Sequence, residues 1–175
     1  PILRWLRDGF MARPDGERPS TGVHLSIHAG EDYAHPASGM RHVDETVQFC
    51  EMRDGDRLGH ALALGIKPKT WVKRQGEILL PLDEHLDNLV WLWHYASVLS
   101  ARLPEAQQAL PLLARRIERF YPIWRRRLEE PDDFGFAQRP EPADCSRREA
   151  VELMTHEQLY QAWHLRRNCY YTWRG

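Results

Sequence analysis

The spacing of apolar and polar positions changes several times along the chain, and each change predicts an element. Pro1 to Phe10 places Ile2, Leu3, Trp5 and Leu6 on a short amphipathic helix, and Arg13 to Thr21 (R-P-D-G-E-R-P-S-T) is rich in turn formers. Val23 to His28 is a mostly apolar run that stops at Ala29-Gly30, as a short strand does, and a loop through Pro36-Ala37-Ser38-Gly39 follows. Val43, Val47 and Cys50 recur at helical spacing, which predicts a helix over Arg41 to Met52 with Asp44 and Glu45 in its first turn. Asp54-Gly55-Asp56 ends that helix, and Arg57 to Ala63 returns as a second strand. Strand, helix and strand joined this closely predict a parallel crossover unit.

From Lys67 onward the pattern is helical. After Pro81, the residues Leu82, Leu86, Leu89, Trp93 and Ala96 form a stripe, and Val90, Trp91, Leu92 and Tyr95 widen it until little polar face is left. Such a helix is expected to be buried on several sides. Leu110 to Leu128 is a second helical region, punctuated by Pro111 and Pro122, and Pro131 to Ala143 is a linker or long loop. Ser146-Arg-Arg-Glu149 and Thr155-His-Glu-Gln158 both fit the capping box, so two short helices are expected to begin there.

The chain has 175 residues, enough for one medium domain with its own core. Lys plus Arg is 24 and Asp plus Glu is 25, so charge favours neither a nucleic-acid nor a membrane partner. No run approaches the roughly 18 apolar residues of a membrane span. Cys50, Cys145 and Cys169 are widely spaced and lack a CxxC pattern, which suits a reducing, cytoplasmic setting and argues against a cysteine zinc site. The arginines of Arg115-Arg116, Arg119 and Arg125-Arg126-Arg127 alternate with Phe120, Tyr121 and Trp124, but Glu118, Glu129 and Glu130 dilute them. A solvated helix face is the better reading there, and nucleic acid is not expected as a partner.

Candidate chemistry sits at the ends of the two strands. His28 closes the first strand, Gly30 lets the backbone turn, and Glu31 lies beside His28 at a loop mouth. Gly59-His60 falls in the middle of the second predicted strand. Two histidines and a carboxylate on neighbouring strands suit a metal-assisted acid–base site, although a strand-end histidine is more often a hydrogen-bonded core residue. What favours the site is the pair of motifs in order, His28-Ala29-Gly30-Glu31 and Arg57-Leu58-Gly59-His60. His35 and His42 flank the first motif and could line a pocket, but solvated loop and helix-start positions are the expectation. For Trp91 and Trp93, core packing is preferred over a subunit interface.

The two motifs together resemble the adenosine and AMP deaminase family of the metal-dependent amidohydrolases, over Gly22 to about Ile66. The resemblance implies an α/β fold, a partial (β/α)8 TIM-type barrel of which two adjacent parallel strands and their crossover helix are present. It implies one zinc ion, with His28 as a ligand, Glu31 as the acid that protonates the purine ring nitrogen, and His60 as the residue that orients the attacking water. The substrate class it implies is a small-molecule purine nucleoside or nucleotide, adenosine above all, hydrolysed to inosine and ammonia.

The family's H-x-H pair and its late aspartate pair are missing. His24 and His28 are four apart, and Asp132-Asp133 follows Glu129-Glu130-Pro131 rather than an apolar strand. The expectation is therefore a central piece of a deaminase, inactive by itself. Residues 1–66 would be the barrel segment, 67–130 a helical insertion, 131–145 a linker or loop and 146–175 short helices and a tail. The long helical stretch resembles the enlarged deaminase subunit of RADAR anti-phage systems, which implies homo-oligomerisation through that insertion and a role in antiviral defence. The rival expectations are an AMP deaminase-like enzyme, a non-catalytic helical assembly module retaining a barrel remnant, and a small α/β domain in which both motifs are accidental.

Overall fold

Two parallel strands with a helix crossing between them make up the first part of the chain, as the motif spacing predicts. A computed structural model describes Arg7, residues 23–129 and residues 154–172. Strand β1 is Ser26–Ala29 and strand β2 is Arg57–His60; they pair in parallel, with His28 opposite Gly59 and Ala29 opposite His60. Helix α1, Pro36–Phe49, links them and packs against β1 and the 3-10 turn Leu62–Gly65 that follows β2. The described residues are mostly helical, with these two parallel strands giving a mixed α/β character.

Both strands are shorter than the apolar runs suggest. Residues 23–25 lie outside the strand, although the Leu25 carbonyl still accepts from the Arg57 amide at 2.8 Å. The second strand ends at His60 and does not run on to Ala63, so His60 is its last residue and not its middle. The reason is backbone conformation: His60 (φ 63°) and Ala61 (φ 49°) are both left-handed and turn the chain out of the ladder. The Ala61 amide then bonds to Ala29 O at 3.0 Å, and the Ala63 amide to Gly30 O at 2.9 Å. The turn after β2 is thereby fastened to the loop after β1.

Helix α1 begins five residues earlier than its apolar period indicates and ends three residues earlier. His35 caps it, accepting from the Ala37 amide through Nδ1 at 3.0 Å, and Pro36 occupies the first turn, where its missing N–H costs nothing. The segment Pro36 to Gly39, expected as loop, is therefore the buried first turn of the helix. Gly39 is required there, because a Cβ would fall 2.6 Å from both Ala63 Cβ and the Tyr33 ring. Of the three positions that suggested the helix, Val43 is buried, Cys50 caps the C-terminus and Val47 faces solvent.

Asp56 ties this unit together. Its carboxylate accepts from the Leu25 amide (2.8 Å) and the Arg53 amide (2.8 Å) and pairs with Arg7 Nη2 (2.6 Å), while Arg7 Nη1 donates to Glu51 O at 3.2 Å. Both side chains of the pair are almost fully buried, Arg7 at 4% and Asp56 at 1% exposure. Burial by itself would raise the Asp56 pKa; the two amides and the guanidinium outweigh it and lower it to about 2. Helix α2, Pro68–Gln75, follows, and its Trp71 meets the capping His35 edge-on at 5.1 Å.

The chain divides into two compact units, the first running to Ile78 and including the end of the chain from Arg167, the second covering Leu79 to Arg166. In the second, helix α3 (Leu82–Leu99) and helix α4 (Pro104–Glu129) are joined by a four-residue turn and pack on one another. Leu86 to Trp91 are all buried, so α3 is covered on several sides, as its composition predicts. Helix α4 starts six residues before the predicted point and continues through Pro111 and Pro122. Arg115, Arg116 and Arg119 lie on its exposed face, in keeping with a solvated reading.

Helix α5, His156–Thr172, opens on the predicted capping box. The Thr155 amide donates to Gln158 Oε1 at 2.8 Å, and the Gln158 amide to Thr155 Oγ1 at 3.2 Å. The helix is 17 residues, longer than expected. Its Tyr160 stacks flat on His94 of α3 at 3.5 Å, and Trp163 is buried to 2% exposure. No helix among the described residues is long and apolar enough to cross a membrane. The predicted Arg13–Thr21 loop, the 131–145 linker, the Ser146 capping box and Asp132-Asp133 lie outside the described residues.

Candidate functional site

His28, Glu31 and His60 come together at one end of the two strands, with one potential ligand atom from each lying within 4.8 Å of the others. The local fold explains the meeting. His28 is the third residue of β1, and its neighbour across the ladder is Gly59. A Cβ at residue 59 would stand 2.3 Å from His28 Cδ2, so the glycine of R-L-G-H is the seat of the His28 ring. His60 comes next, and its left-handed conformation sets its ring edge-on to His28, with 4.7 Å between centroids and an interplanar angle of 87°. Two successive non-glycine residues at positive φ cost on the order of 1–2 kcal/mol each, a strain placed at the site's edge.

Gly30 makes the third arm possible. Its φ of 77° favours glycine, and a Cβ there would meet Val43 Cγ2 at 2.6 Å and Gly39 O at 3.3 Å. The chain can therefore turn tightly against α1 and deliver Glu31 to the two histidines. Glu31 is half-buried, and its Oε2 is buried with no hydrogen-bond partner among the described residues. A buried acceptor left unmatched is costly, and a cation or a proton-bearing ligand would relieve it.

An open cavity of about 420 Å³ adjoins the cluster. His28 and Glu31 line it from the loop side, and His42, Thr46 and Phe49 line it from one face of α1. The spacing 42, 46, 49 is helical, so this wall was legible once the helix was placed. His42 is half-buried, lines the cavity, and shares a 3.3 Å contact with Arg41 Nη2; the expectation of a solvated position is corrected. His35, the helix cap, is likewise not a solvated loop residue. Cys50 also lines the cavity; burial pushes its thiol pKa up, against the opposing charge of Arg7, so it is not an activated nucleophile.

Two imidazoles and a carboxylate are a donor set that zinc accepts, and their convergence around an orphaned carboxylate oxygen fits a metal ion. The roles of Gly59 as the seat of a ring and of Arg7 as the partner of Asp56 were not foreseen from the sequence. The first had a signal in the strand register; the second had none, because the partners lie 49 residues apart. Compared with known proteins, the chain matches no family model and no curated sequence.

Proposed function

We propose that this chain is part of a zinc-dependent purine deaminase that hydrolyses adenosine, or an adenosine nucleotide, to inosine and ammonia. The observation that carries the reading is the convergence of His28, Glu31 and His60 at the end of two adjacent parallel strands, in the motif order that resembles the adenosine and AMP deaminases. On this reading the strands and α1 belong to a (β/α)8 barrel, whose ligands come from several strand ends. The other family ligands would come from segments beyond this sequence.

His28 would hold the metal through an imidazole nitrogen. Zinc, when bound, supplies Lewis acidity that lets water react near neutral pH. His60 orients that water and takes up its proton. Glu31, with one oxygen buried, delivers a proton to the purine ring nitrogen as the ring carbon is attacked. Expulsion of ammonia then gives the oxopurine. The cavity beside the cluster offers Phe49 as an apolar wall for a heterocycle and Thr46 and His42 as polar contacts. The helical unit carries exposed apolar side chains at Val98, Leu103 and Leu112, which favours the further proposal that it mediates self-association, as in the RADAR deaminase subunit.

The test is adenosine turnover by the protein encoded by the full reading frame. Glu31→Gln should lower kcat by ~10²–10⁴-fold, the usual worth of a positioned general acid, with less effect on substrate affinity. Near-normal turnover in that variant would remove Glu31 from the mechanism.

A further inference from the structure

We propose that the turn and helix after β2, residues 62–75, form a peripheral docking surface for an anionic lipid bilayer. It uses none of the residues placed in the deaminase site, and it stands whether or not that reading holds. Charge is balanced over the whole chain but not locally. From Arg57 to Gly76 the sequence has no aspartate or glutamate, while Lys67, Lys69, Lys73 and Arg74 fall within a short stretch. All four are exposed, and none is ion-paired among the described residues.

Aliphatic side chains share this stretch. Ala63 is buried and its amide is bonded to Gly30 O, which fastens the 3-10 turn. Its neighbours Leu62 and Leu64 are left 57% and 62% exposed. No residue of α2 is buried, and Trp71 is half-buried against His35. Lys69, Val72 and Lys73 share one face of the helix by their i, i+3, i+4 spacing, and Val72 is 63% exposed there.

A second observation points the same way: the helix is built against its own electrostatics. Lys67 is the N-cap and makes no side-chain cap bond, and Lys69 lies in a first turn that holds no acidic residue. Cations there oppose the positive end of the helix dipole. Lys73 and Arg74 in the last turn suit the dipole, so helix stability accounts for them but not for the other two. A negatively charged surface offsets all four. A bilayer also accepts the aliphatic groups: ammonium groups meet lipid phosphates while Leu62, Leu64 and Val72 enter the boundary of headgroups and acyl chains. A nucleic acid matches the charge but offers those aliphatic groups no partner. Base stacking needs a free aromatic face, and the one aromatic ring of the stretch, Trp71, is engaged with His35.

The 175-residue chain would be co-sedimented with vesicles of phosphatidylcholine alone and of phosphatidylcholine mixed with phosphatidylserine. Binding is expected only to the anionic vesicles and should fall as salt rises from about 0.1 M to about 0.5 M, because screening shortens the reach of the charges. Lys69→Gln and Lys73→Gln should each weaken binding about fivefold, the equivalent of about 1 kcal/mol per cation at an anionic surface. Leu64→Ser and Val72→Ser should weaken it at both salt concentrations. All four positions are exposed, and circular dichroism would verify that the variants fold. Arg115→Gln and Arg116→Gln remove the same charge from the exposed face of α4 and should leave binding unchanged. Equal binding to both vesicles, wild-type binding by the lysine variants, or an equal loss in the α4 variants would overturn the proposal. So would binding to a single-stranded RNA oligonucleotide through Lys69 and Lys73 without binding to vesicles, which would assign the surface to nucleic acid.

Discussion

The two units of the chain solve the folding problem in different ways. The helical unit relies on apolar volume: Leu86, Leu89, Val90, Trp91, Ile117, Leu159, Tyr160 and Trp163 are buried across three helices. Among its described residues, the strand-containing unit has few large buried apolar groups. Its fixed points are Ala37, Val43 and Ala63, glycines that permit close approach, and one buried ion pair. A core of large side chains tolerates exchange of one apolar group for another, whereas a framework of close contacts does not. The donors that could hold a metal, His28, Glu31 and His60, all project from the unit built on close contacts.

Substitutions should expose the contrast. The largest effect is expected in the helical unit, where Trp163→Ala removes a fully buried indole and should cost about 3–5 kcal/mol. Urea denaturation followed by far-ultraviolet dichroism would measure it, and Trp163→Phe should recover much of the loss. Gly30→Ala should cost about 2–4 kcal/mol through the sum of a left-handed residue and a clash with a buried valine. No larger apolar residue should rescue it, and a tolerant Gly30 would break the comparison.

Acid should act on the strand unit through Asp56. Its carboxyl is held at about 2 in the fold, against about 3.9 in an unfolded chain, so its stabilisation is complete above about pH 4 and is lost as pH falls toward about 2. Amide exchange at Leu25 and Arg53 should accelerate over that window, and Asp56→Asn should flatten the response. The smallest effect is Ala61→Gly. Relief of the left-handed strain, about 1–2 kcal/mol, exceeds the added chain entropy of glycine, about 0.5–1 kcal/mol, so a gain near 0.5 kcal/mol is expected in thermal melts.

Much of this was legible in the sequence, and the gaps have physical causes. Strand, helix and parallel strand followed from apolar runs and turn residues, and the meeting of His28, Glu31 and His60 followed from the motif order. The Thr155 capping box was readable because its pattern names both partners. The end of β2 was missed because Leu58, Ala61 and Ala63 read as a continuing strand, while the left-handed turn at His60 and Ala61 is imposed by bonds to Ala29 and Gly30. The start of α1 was missed because histidine is an uncommon cap and Pro36 reads as a loop former until it is placed in a first turn. The start of α4 at Pro104 was missed for the same reason.

The Asp56 junction also bears on how the protein is made. Arg7, Leu25 and Arg53 all precede Asp56, so every group that this carboxylate needs has left the ribosome before it does. The strand unit can therefore close its central junction while the helices are still being synthesised. The helical unit has no such head start: His94 must wait for Tyr160 before α3 gains its contact with α5. A pause in translation between these two points would leave a tied strand unit beside an α3–α4 pair whose face toward α5 is still open, the species a chaperone would meet first.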